Sequence, residues 1–295
     1  MRKVVVLFSV MAFALGLAGT GFAHLPEGEI NFAVQFPDGA TPTIDGDLAD
    51  WDIVPANPYT LRNDKLFDSA QFQDVGRGEI DATDMNITHR FGWNDTDNRI
   101  YFATVVFDNV HNTDRADPGR FFHDDAWEVE VNPDHTPREE HNQDFANQFS
   151  YKFAVPPHQD TFMFLRPLRG VTWLVPGSEW LDFGWSFDGE EFGESTYFYE
   201  MSLVPFESMP LDEATALDGA EVFDLEEGEI IHLSINVGDV DAGDDYFGFW
   251  GTSPAGCCQG ENDFVLTEID QALLDNLSGT AVESDTWGRI KSRFK

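Results

Sequence analysis

Three carboxylates crowd into a six-residue stretch, Asp45, Asp47 and Asp50, within the run Ile44-Asp-Gly-Asp-Leu-Ala-Asp-Trp51. Their repulsion on one short loop must be relieved by water or a cation, and closely spaced oxygen ligands suit Ca²⁺. Asp45-Gly46 is a turn signal, since glycine reaches positive φ without a steric penalty. Trp51 is expected to anchor this loop to a core. A second reactive feature is the adjacent pair Cys257 and Cys258, the two cysteines of the chain. Oxidised, they would form a strained vicinal disulfide, because neighbouring Cα atoms stand only ~3.8 Å apart. Reduced, they are two thiols, and the sequence leaves both states open.

Other chemistries find less support. His24 follows the expected cleavage site of a signal peptide, and a first-position histidine plus a second one (His89, His111, His123 or His232) could hold copper. A chance histidine at that position is the simpler explanation. A glycosidase needs two placed carboxylates, and among 54 acidic residues any chosen pair is uninformative. The chain has no Gly-x-Ser-x-Gly elbow, Gly-rich phosphate loop or His-Glu-x-x-His helix. The expectation is therefore a non-catalytic protein.

Composition narrows the partners. With 54 acids against 17 bases, the 295-residue chain carries a formal charge of −37. Such a field repels nucleic acid and anionic membranes but admits a neutral ligand such as a sugar, or a bound cation. Residues 1–23 read as a secretory signal peptide: Arg2 and Lys3, an apolar stretch from Val4 to Leu17, and the small-x-small site Gly21-Phe22-Ala23. The apolar stretch is too short for a membrane span and no second one follows. No cysteine lies beside it to carry a lipid, so a secreted or periplasmic location is expected.

The elements that must position these residues are strands. Apolar and aromatic runs recur at Asn31–Phe36, Met85–Trp93, Arg99–Asp108, Asp124–Asn132, Phe149–Val155, Thr161–Leu165, Leu181–Phe187, Thr196–Val204, Ile230–Val237, Tyr246–Trp250 and Phe264–Ile269. Turns rich in Asn, Asp, Gly and Pro separate them, which predicts an all-β, antiparallel β-sandwich over residues 24–270. In two runs the faces separate. Trp127, Val129 and Val131 oppose Glu128 and Glu130, and Ile231, Leu233, Ile235 and Val237 oppose His232, Ser234 and Asn236. This alternation predicts a sheet with one dry face and one wet, ligand-accessible face carrying Glu128, Ser234 and Asn236. Trp173 and Trp180, around Pro176-Gly177, are expected to be exposed aromatic platforms. A short helix over Glu268–Leu277 closes the domain. Residues 271–295 hold the end of that helix and a basic tail, Trp287–Lys295, that could dock on a cell surface or an enzyme partner, or simply fray.

Several segments taken in order resemble the family 9 carbohydrate-binding modules and their relatives in the DOMON-like sandwich superfamily. They are Ile44–Trp51, Phe91–Asp95 with Arg99–Asp108, Asp125–Asn132, Gln148–Phe153, Tyr199–Pro205, Ile231–Asp239, Phe247–Pro254 and Phe264–Ile269. The resemblance spans roughly residues 40–270 and implies a jelly-roll-type sandwich that binds a sugar or polysaccharide end without catalysis. Glu128 matches the family's sugar-bonding acid, in the D-x-x-E pattern begun by Asp125. Phe122 falls where the first clamp aromatic sits. The second clamp tryptophan is replaced by Gly256-Cys-Cys-Gln-Gly260, so an oxidised Cys257–Cys258 pair is expected to serve as an apolar plate. Asp45, Asp47, Asp50 and Asp108 match acidic positions in the family's calcium loops. Asn236, Trp173 and Trp180 complete the expected ligand contacts. Because some relatives bind haem, Met163, Met201 or His232 are the alternative axial ligands.

Overall fold

A computed structural model describes residues 29–68, 80–115, 123–133, 149–158, 161–166, 176–190, 192–210, 219–243, 247–253 and 262–278. Runs of alternating apolar and polar residues pair into two sheets. The first runs in the order β8 (Thr161–Arg166), β7 (Phe149–His158), β6 (Trp127–Asn132), β13 (Ile230–Asp239), β15 (Asn262–Leu266) and β1 (Ile30–Gln35). The second runs β1, β4 (Met85–Asn94), β5 (Arg99–Asp108), β10 (Ser195–Leu203) and β9 (Leu181–Gly189). Short strands extend both: β2 (Thr60–Arg62) pairs with β4, while β14 (Gly248–Gly251) bridges β13 and β3 (Phe67–Asp68). A separate ribbon joins β11 (Phe206–Ser208) to β12 (Glu221–Val222).

The expected sandwich is therefore the observed one, with a difference at β1. Ile30–Ala33 pairs with β15 and Val34–Gln35 with β4, both in parallel, so one strand belongs to both sheets. All other pairings among the described residues are antiparallel.

The main core fills the space between the sheets. Trp127 of β6 stacks on Tyr199 of β10 at 5.1 Å and 12°, and Phe153 of β7 stacks on Phe183 of β9 at 3.8 Å. A smaller core lies on the outer face of the second sheet, where Trp51, Phe36 and Tyr101 pack with Leu273 of the helix at 271–278. Asn276 and Asp270 tie that helix to Ile53 and Tyr59 by hydrogen bonds of 2.8 and 2.9 Å. No helix among the described residues is long and apolar enough to cross a membrane.

Candidate functional site

The outer face of the first sheet carries the polar residues predicted by alternation, arranged as a grid. Cross-strand register sets Asn236 beside Glu128 and Glu128 beside Lys152; the next row is Ser234, Glu130 and Ser150. A third row places His232 between Asn132 and Asp263, with His232 Nε2 3.2 Å from Asp263 Oδ1. The Lys152 ammonium pairs with the Glu128 carboxylate.

This face is polar, as expected, but it is not wet. Glu128 is 1 % exposed and Asn236 and Ser234 are 0 % exposed. Polarity along a strand does not by itself mean solvent, and here the polar side chains are buried. Burial makes their hydrogen-bonding informative. Both Nδ2 and Oδ1 of Asn236 lack partners, as do the hydroxyls of Ser234 and Ser150. Gly251 lies opposite Asn236 on β14, and a Cβ there would stand 2.2 Å from Asn236 Oδ1, so only glycine leaves the amide its place.

The other expected residues separate. Trp180 is half-buried at the edge of the second sheet, edge-on to Phe206 at 5.9 Å, and packs against the main core rather than standing exposed. It is not brought to Glu128 and Asn236. Phe122, Trp173, Cys257 and Cys258 lie outside the described residues, as do the signal segment, His24 and the basic tail. Of the haem alternatives, Met201 sits in the inter-sheet core and His232 on the outer face of the opposite sheet, so these two cannot ligate one iron. The side chain of Met163 lies outside the described residues.

The acidic loop is braced from within the protein. Asp45 accepts from the Asp47 amide at 2.9 Å, Asp47 caps Ala49 at 3.1 Å, and Asp50 accepts from Thr43 at 2.9 Å. These carboxylates point into their own turns and do not gather into a three-ligand group. Each spends one carboxylate oxygen on a backbone amide of the turn. The loop is also held by Glu200, which no sequence motif singles out. Glu200 accepts from Asp45 N at 3.1 Å, Gly46 N at 3.2 Å and Trp51 Nε1 at 2.8 Å. Burial pushes the Glu200 carboxyl up, against the lowering effect of these donors.

Asp108 is elsewhere, at the end of β5. With His111 and Asp125 it forms the one group of three metal-capable side chains found among the described residues, all buried, with ligand atoms within 4.8 Å of one another. His111 Nδ1 faces Asp125 Oδ2 at 3.4 Å and Asp108 Oδ2 at 3.9 Å, while Nε2 lies 2.6 Å from the Val155 carbonyl. Burial pushes the His111 ring down, but the two carboxylates outweigh it and hold the pKa up at about 9. Burial also pushes Asp125 well up, against the lowering effect of His111. Asp239 rises to about 7 through burial and the charges of Asp108, Asp84 and Asp241. The sequence did hold a signal. Asp108 shares the parity of Phe102 and Val106, and Asp125 that of Trp127, so both acids sit on core-facing positions.

No family model matches the chain, and no curated protein matches it. Solved structures do. The chain is similar to family 9 carbohydrate-binding modules. One, from Caldicellulosiruptor kristjanssonii in complex with cellotriose, aligns at 15 % identity over 82 % of this chain and 96 % of that one, with a TM-score of 0.48. The same organism's module in complex with glucose aligns at 14 % identity over 82 % and 98 %, again with a TM-score of 0.48.

Proposed function

We propose that this chain is a secreted, non-catalytic carbohydrate-binding β-sandwich that holds its sugar against the outer face of the first sheet. Asn236 carries the reading. A buried amide with neither its donor nor its acceptor satisfied costs on the order of 1–3 kcal/mol, and both Asn236 atoms are in that state. A pair of neighbouring sugar hydroxyls donates and accepts at once, which is what Oδ1 and Nδ2 together require, and since Asn236 is fully buried, this face must open to admit the ligand. Glu128, one strand away and ion-paired with Lys152, offers a charged acceptor to the same ligand. The hydroxyls of Ser234 and Ser150 line the adjacent row.

In this reading Phe122 and Trp173 supply stacking faces for the apolar side of the sugar ring. An oxidised Cys257–Cys258 pair supplies the opposing plate, and two alkylatable thiols in the mature protein would remove it. The main test is a glycan array with an insoluble-polysaccharide pull-down, using the mature protein and the variants Asn236→Ala and Glu128→Gln. Binding by the parent and at least about 10-fold weaker binding by both variants is expected, a loss of roughly 1.4 kcal/mol. No glycan bound, or equal binding by all three, would overturn the proposal.

A further inference from the structure

The Asp108–His111–Asp125 group poses an electrostatic question separate from sugar binding. A backbone carbonyl only accepts, so the Nε2 of His111, 2.6 Å from Val155 O, carries the proton. Nδ1 therefore turns either a second proton or a lone pair toward two carboxylates. A lone pair facing two acceptors is repelled, so something positive must lie between them. The positive species is a proton or a metal ion.

Geometry discriminates between the two. Nδ1 is fully buried without a hydrogen-bond partner, and its separations from Asp125 Oδ2 and Asp108 Oδ2, 3.4 and 3.9 Å, are longer than an N–H···O hydrogen bond prefers. Ligands about 2.0–2.1 Å from a tetrahedral ion stand ~3.4 Å from one another. The His111–Asp125 separation already has that value, and the His111–Asp108 separation is ~0.5 Å longer. Backbone amides fix both carboxylates, and one of them holds Oδ2, the Asp125 oxygen that faces Nδ1. Asp125 Oδ1 accepts from Val240 N at 2.7 Å, Asp125 Oδ2 from Asn112 N at 2.5 Å, and Asp108 Oδ1 from Val110 N at 2.9 Å. A histidine anchored through its far nitrogen to a carbonyl, with its near nitrogen presented to carboxylates, has the outer support that metal-binding imidazoles need.

We infer that Asp108, His111 and Asp125 form a buried structural site for a borderline divalent ion of the zinc class, and not for calcium. An imidazole nitrogen suits Zn²⁺, Co²⁺ or Ni²⁺, whereas calcium takes oxygen ligands. Two carboxylates and a neutral imidazole cancel the charge of one such ion. Asp108 ends a strand of the second sheet and Asp125 leads into β6 of the first, with His111 between them in sequence, so the ion staples the two sheets at one end of the sandwich.

The test uses the full secreted chain, stripped with chelator and titrated with Zn²⁺, Co²⁺ and Ca²⁺ by calorimetry. One equivalent of Zn²⁺ or Co²⁺ is expected to bind, at least about 100-fold more tightly than Ca²⁺, and to raise the melting temperature. His111→Gln is expected to weaken Zn²⁺ by about 100-fold. X-ray absorption on the Co²⁺-loaded parent protein, which does not depend on the variant folding, should place one imidazole nitrogen among oxygen ligands. Absence of Zn²⁺ and Co²⁺ binding, an all-oxygen shell, or Ca²⁺ binding of equal strength would overturn the inference.

Discussion

Glu200 holds the Ile44–Trp51 turn with one side chain: two backbone amides and an indole N–H converge on its carboxylate. Hydrogen bonds to a charged acceptor are worth about 1.5–3 kcal/mol each, so Glu200→Ala should destabilise the fold by on the order of 3 kcal/mol, read by urea unfolding. His89 makes a different prediction. It is fully buried, its Nδ1 bonded to Thr104 at 2.8 Å, and burial holds its pKa down at about 3. The unfolded chain takes up that proton near pH 6.5 and the folded one near 3, so the unfolded state binds more protons in between. Stability present above about pH 6.5 should therefore fall as pH drops toward 3, by up to about 1.4 kcal/mol per unit. Because raised carboxyls such as Asp239, at about 7, pull stability the other way over the same range, the His89 contribution is read as a difference: in urea unfolding between about pH 7 and 4 the parent should lose stability relative to His89→Gln as pH falls. At this scale alternation was legible and convergence was not. Glu128 and Asn236 could be put on one face from their own strands, but their burial, and the meeting of Asp108 with Asp125, depend on how the sheets close.

Among the elements, the long strands were readable because each holds its periodicity over six or more residues. Arg99–Asp108 appears with the bounds expected, and Met85–Asn94 differs by one residue. The short strands β2, β3, β11 and β12, two or three residues each, carry too little pattern to announce themselves. The packing of the acidic loop on β9 was equally hidden, because it depends on a missing side chain. A Cβ on Gly184 would stand 2.6 Å from Gly46 N and 2.8 Å from Asp45 N, both backbone atoms that cannot swing aside. Gly184→Ala should therefore cost about 1–3 kcal/mol. Gly193, whose added Cβ would meet its nearest neighbours at 3.5 Å, provides the matched control with little change in melting temperature.

Across the whole molecule, no feature outweighs the charge. A formal charge of −37 on 295 residues means that the compact state is opposed by its own repulsion. The Debye length falls from about 10 Å at 0.1 M salt to 3 Å at 1 M. Raising sodium chloride across that range should raise the melting temperature, and an unchanged or falling value would show that self-repulsion does not limit stability. Fold class was legible at this scale, since recurrent strands and turns leave few alternatives to a sandwich. The sharing of β1 between sheets was not, because nothing in Ile30–Gln35 marks where one partner ends and the next begins.

That shared strand makes the N-terminal segment a seam. Ordinary removal of an edge strand bares one neighbour; removal of residues up to Gln35 would bare β15 in one sheet and β4 in the other at the same stroke. Both would then present unpaired amides and carbonyls, the template on which foreign strands add. A chain trimmed at this point would be expected to recruit copies of itself in two directions, so that a single proteolytic cut could turn a folded domain into the repeating unit of a fibre.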